Sequence, residues 1–171
     1  NFAKNYLKVL SKTSVNIIEI GFRKPINNIG SGPSGLNKIG KFLTSSEKDL
    51  SKLKFDRNKK ISVMIDLSDY TGEEGLNSLK KNFTSSKKSV VKIVRIACNF
   101  TDKEKLEKVV KYLKNNNYTV CVNLMKFTIL TNREILSFFK IAIRFGADYL
   151  YLADSFGNCK PNKILNISKY I

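Results

Sequence analysis

The chain has 171 residues, 42% of them hydrophobic, which suits one ordinary domain with a buried core and excludes a disordered segment. No apolar run approaches the roughly 20 residues that span a bilayer, and the N-terminal NFAKNYLKVLSK is amphipathic rather than a charged stub before an apolar block, so a soluble, unexported, cytoplasmic protein is expected. The net charge of +17 comes from basic residues, mostly Lys, spread over every predicted helix instead of one patch interleaved with exposed aromatics, so neither nucleic acid nor a membrane is the expected partner.

Phe2, Tyr6, Val9 and Leu10 stand at helical spacing and predict a helix over 2–12. The Ile-rich VNIIEIGF, 15–22, predicts a strand. A loop with Pro25, Gly30, Gly32, Pro33 and Gly35 follows, then a helical stretch over about 45–53. ISVMIDL (61–67) is a strand, GLNSLKKNF (75–83) a helix, and VVKIVRIAC (90–98) a strand again. Thr101 to Glu104 has the spacing of a capping box, with the apolar stripe Leu106, Val109, Val110 and Leu113 behind it. YTVCVNLM (118–125) returns to strand, and Thr131 to Glu134 is a second capping box, ahead of Ile135, Phe138, Phe139 and Ile143. ADYLYLAD (147–154) is the last strand, and Pro161 suits the first position of a final helix.

Strands and helices alternate at roughly 30 residues, the pattern of right-handed βαβ units and a parallel sheet. The strands are nearly continuous Ile, Val and Leu, as a covered parallel sheet demands. An open doubly wound sheet and a (β/α)8 barrel both satisfy this pattern; the even spacing favours the barrel.

Polar residues interrupt these apolar strands near their C-terminal ends: Glu19 in IIEIGF, Arg95 in IVRIAC, Asn123 in VCVNLM and Asp154 in YLADS. Burying a charge without a partner is costly, so such residues are expected to share partners, water or a ligand. In a barrel the C-terminal strand ends converge on one mouth, where catalysis lies. The bland alternative is a structural network in which Glu19 and Arg95 plug the barrel top. Asp66 in VMIDL either joins the group or caps the following turn.

Other features carry less. Gly30, Gly32 and Gly35 spell G-x-G-x-x-G, but the glycines begin eight residues after the predicted strand and enclose Pro33, whereas a dinucleotide fingerprint joins strand directly to helix. Lys126 is near a strand end, but alternation sends it outward if Asn123 faces inward. Cys98, Cys121 and Cys159 are an odd number without C-x-x-C spacing, expected to be reduced thiols rather than a disulfide framework or zinc site.

Taken in order, NIIEIGFRKP, VKIVRIACN, YTVCVNLMKF and YLYLADSFGNCKP resemble strands two, four, five and six of the metal-dependent aldolase and lyase barrels with a pyruvate carboxyltransferase-type domain. The branch they are most similar to contains 4-hydroxy-2-oxovalerate aldolase-like proteins, with hydroxymethylglutaryl-CoA lyase and isopropylmalate synthase more distant. The resemblance covers nearly the whole chain as a single partial barrel over 1–171, about strands two to six, lacking strand one and strands seven and eight. It implies aldol cleavage or condensation of a 4-hydroxy-2-oxo acid or related 2-oxo acid through an enolate stabilised by Mn²⁺ or Mg²⁺. It implies Glu19, Arg95 and Asp154 as catalytic residues, and Arg23, Asn123 and Ser155 as substrate-binding ones. Relatives hold the metal through an Asp on strand one and an H-x-H on strand seven. This chain contains no histidine, and Asn99 stands where relatives often carry one, so the usual ligands are absent and the isolated segment is expected to hold only part of the site. An aldehyde dehydrogenase partner is also implied by the resemblance, and the exposed strand edges of an incomplete barrel would need a partner, so a homo-oligomer is expected as well. An inactive barrel remnant or interaction module is the alternative.

Overall fold

The computed structural model describes residues 2–25, 41–54, 56 and 58–169; the loop glycines Gly30, Gly32 and Gly35 lie outside them. In chain order the elements are α1 (Phe2–Leu10), β1 (Ile17–Phe22), the single turn α2 (Glu47–Leu50), β2 (Lys60–Asp66), α3 (Gly72–Asn82), β3 (Val91–Cys98), α4 (Leu106–Asn115), β4 (Thr119–Met125), α5 (Asn132–Phe145), β5 (Tyr149–Ala153) and α6 (Pro161–Ser168). The alternation read from hydrophobic periodicity is thus observed, with ends shifted by a few residues, as frayed termini commonly are.

The strands form one parallel five-stranded sheet in the order β1-β2-β3-β4-β5. This order never reverses, so the described strands contain no switch point of the doubly wound kind. Right-handed crossovers between successive neighbours put their helices on one face. Packing agrees. Val63, Ile65, Val94, Ile96, Val120, Val122 and Leu124 share one buried cluster with Leu79 of α3, Val109 and Leu113 of α4, and Phe138 and Ala142 of α5. Their alternate neighbours Glu19, Ser62, Arg95, Cys121 and Tyr151 point to the opposite, open face, where Ile17 (47%), Tyr149 (56%) and Tyr151 (40%) keep large exposed surfaces. No described helix is long and apolar enough to cross a membrane.

Local signals fix several helix ends. Thr131 caps α5 with a complete capping box: its hydroxyl accepts the Glu134 N–H while Glu134 accepts the Thr131 N–H. Gly146 ends α5 at φ 101°, the left-handed stop that glycine adopts without strain. Pro161 opens α6 as expected. The box predicted at Thr101 does not form. Turning starts earlier, where the Asp102 N–H bonds the Asn99 carbonyl at 3.0 Å, and Phe100–Lys105 is a 3₁₀ stretch before α4 begins at Leu106.

Candidate functional site on the open sheet face

The register of the sheet assembles the site. Glu19 pairs with Ser62, Met64 with Arg95, Arg95 with Cys121 and Cys121 with Tyr149, so side chains from all the strands share one face. Glu19, Ser62, Arg95, Cys121 and Tyr149, with Ile17, Ile93 and Tyr151, line a depression of about 210 Å³. Across it the Arg95 Nη2 donates to Glu19 Oε1 at 2.8 Å. The Arg95 guanidinium also stands 5.9 Å from the centre of the Tyr151 ring, while its buried Nε has no hydrogen-bond partner among the described residues. One of its donor groups is therefore already desolvated and unspent.

Burial pushes the Glu19 carboxyl above its ordinary range, although the charge and hydrogen bond of Arg95 pull it down. Burial likewise raises the Cys121 thiol to about 11, against a hydrogen bond with Tyr151. Neither Cys121 nor Tyr151 was singled out from the sequence for this face, yet stepping two residues back from Asn123 leads to Cys121, so the signal was available. Asn123 lies one step farther along the face, paired with Ala97 and Tyr151 and 8% exposed; its Nδ2 meets the Met125 sulfur at 3.9 Å.

The other expected residues are elsewhere. Asp154 follows β5, five residues beyond the level of Arg95, Cys121 and Tyr149, which is roughly 16 Å of strand. Its carboxylate accepts the N–H groups of Cys159 at 2.8 Å and Asn158 at 3.2 Å, and these bonds hold its pKa below the usual value. Ser155 Oγ accepts the Lys126 N–H at 3.0 Å, tying the ends of β4 and β5 together. Asp66 caps its own turn, accepting from the N–H and hydroxyl of Ser68.

Arg23, expected near substrate, sits in the helix layer and is 2% exposed. It donates to the Ser45 and Asn82 carbonyls and to Glu47 Oε1, and lies 5.0 Å from the Phe83 ring centre. The cause is a bulge. Glu19 pairs with Ser62 but Phe22 with Met64, so β1 carries one extra residue and the alternation flips before Arg23. Gly21 absorbs it at φ 145°, where a Cβ would fall 2.3 Å from the Phe42 carbonyl oxygen.

Among the described residues no group of three or more His, Cys, Asp and Glu side chains is placed to hold a metal ion. The described residues therefore offer no ligand set for the divalent metal that the family resemblance implies.

No family model and no curated protein matches the chain. Among solved structures, the chain is similar to one described as "the N-terminal domain of a putative aldolase" from Bacteroides vulgatus, with TM-score 0.75 and 25% identity over 98% of this chain. It spans 52% of that structure, about half its length. The likeness supports an aldolase-like α/β fold.

Proposed function

We propose that the chain is part of an aldolase of the (β/α)8-barrel type, a carbon–carbon lyase acting on a 4-hydroxy-2-oxo acid or related 2-oxo acid, with the open sheet face turned to substrate. The observation that carries this reading is the Glu19–Arg95 pair, half-exposed on the uncovered face of a sheet whose fold is shared with an aldolase-like domain. A sequential parallel order with helices on one face is the arrangement from which such barrels are built. Among the described residues no cluster is placed to hold the family's metal, and the steps below are those that this chain's own side chains can perform.

In this reading Arg95 receives the substrate carboxylate, for which a planar guanidinium with a spare buried N–H is suited. Glu19, released from Arg95 by that exchange, takes the proton of the 4-hydroxyl. The C3–C4 bond breaks, the aldehyde leaves, and the electron pair stays as an enolate on the 2-oxo acid. Asn123 donates from its amide to the enolate oxygen, and Glu19 returns the proton to C3. A raised carboxyl pKa fits that exchange, since a general base works best near the operating pH. Asp154 and Ser155 shape the end of the site by ordering the turn after β5.

The test is aldol cleavage by the complete protein, read as 2-oxo acid release from a panel of 4-hydroxy-2-oxo acids, with and without Mn²⁺. Glu19→Gln is expected to lower turnover by about 10²-fold or more, the usual worth of a general base, with far-UV circular dichroism unchanged. Unchanged turnover would remove Glu19 from the chemistry. A second reading, a barrel remnant kept for interaction, predicts no turnover by the wild type across that panel.

A further inference from the structure

At the opposite end of the strands from Asp154, α1 and the segment leading into β2 enclose a second cleft of about 580 Å³. Among the described residues its walls carry Lys4, Lys8, Lys52 and Lys54, with Asp56 as the one acidic residue and Leu7 as a buried floor. Lys4 and Lys8 are four apart on α1, so their like charges face each other, an arrangement that disfavours a helix unless an anion offsets it. Other lysines meet carboxylates: Lys24 with Asp69, Lys105 with Asp102, Lys111 with Glu107 and Lys114 with Asp148. None of the cleft lysines has such a partner among the described residues. Asp56 offsets one of these charges, and its Oδ1 also accepts the Asn58 N–H at 3.0 Å.

We propose that this cleft binds a small phosphate-rich anion of diphosphate size. Among the described residues, four lysines and one aspartate leave a net of three positive charges on the lining (4 − 1 = 3), close to the charge a diphosphate brings. Flexible ammonium groups suit phosphate oxygens approached from several directions. The cleft has the size of an ordinary small-ligand site. This site is separate from the open sheet face and does not depend on the aldolase reading.

Isothermal titration of the complete protein with inorganic pyrophosphate tests it. Saturable one-to-one binding is expected, weakening as salt rises. Lys52→Gln/Lys54→Gln should raise Kd by about tenfold, whereas Lys87→Gln/Lys88→Gln, which removes the same charge from an exposed turn, should change it by less than about twofold. Adenosine diphosphate binding tighter than pyrophosphate would extend the ligand to a nucleotide; equal affinity would confine recognition to the phosphates. Equal weakening by both double variants, or heats that never saturate, would overturn the site, since scattered charge alone would then explain them. Oligonucleotide binding that excess pyrophosphate fails to displace would overturn the small-anion assignment.

Discussion

Arg95 reaches over an intervening strand to Glu19: the two stand on β3 and β1, with β2 between them, yet Nη2 and Oε1 are 2.8 Å apart. Burial raises the Glu19 carboxyl and Arg95 opposes that rise. Arg95→Ala should therefore move the Glu19 midpoint further up, as followed by carboxyl ¹³C NMR. The sign for stability follows. A carboxyl raised on folding contributes stability below its unfolded pKa, and that contribution is lost as pH rises through the folded pKa. Removing Arg95 should deepen this loss on the neutral side. A midpoint that stays put or falls in Arg95→Ala would show that the pair does not govern Glu19.

Arg23 holds the helix layer through bonds to Ser45, Asn82 and Glu47, and Glu47 in turn accepts the Val90 N–H at 3.1 Å and the Ser89 hydroxyl. Arg23→Ala would strand two carbonyls and a partly buried carboxylate. With Glu47 partly exposed, the cost should be about 3 kcal/mol in urea unfolding. Arg23→Lys keeps the charge but loses the fork, and should fall between the two. A loss below about 1 kcal/mol, the range of surface pairs, would mean that the network relaxes.

The strand order and the α5 cap were legible because each depends on local spacing: alternation of apolar runs, and Thr131 three residues before Glu134. Arg23 was placed near substrate by the family resemblance, and nothing local in IIEIGFRKP marks Gly21 as a bulge that turns the following residue toward the helix layer. The polar strand residues divided for a similar reason. Glu19 and Arg95 face outward from the helix layer and meet each other, whereas Asp66 and Asp154 end their strands by accepting backbone N–H groups nearby. A carboxylate at a strand end satisfies a turn as readily as a ligand. Sequence spacing does not separate those outcomes; hydrogen-bond geometry does.

Gly21→Ala tests the bulge. Its φ of 145° and the 2.3 Å approach of a Cβ to the Phe42 carbonyl oxygen leave no room for a methyl group. The variant should lose about 1–3 kcal/mol from backbone strain alone, with chemical-shift changes reaching Arg23 and Phe42. A neutral effect would imply that β1 can slip to a regular register.

The three cysteines should differ in reactivity in the native state. Burial pushes the Cys98 thiol up to about 12 and Cys121 to about 11, whereas Cys159 is partly exposed beside the turn ordered by Asp154. The thiolate is the nucleophile, so near pH 8 only roughly 10⁻⁴ of Cys98 and 10⁻³ of Cys121 would be reactive even if reagent reached them. Iodoacetamide followed by mass spectrometry should find Cys159 labelled first, with Cys98 and Cys121 protected until denaturant is added. Cys98 lies in the helix-side core and Cys121 on the open face, so their order reports which side loosens. Cys121 reacting well before Cys98 would show the open face breathing while the core stays closed. Cys98 keeping pace with Cys159 would show that the helix layer opens on the labelling timescale, against the buried core described above.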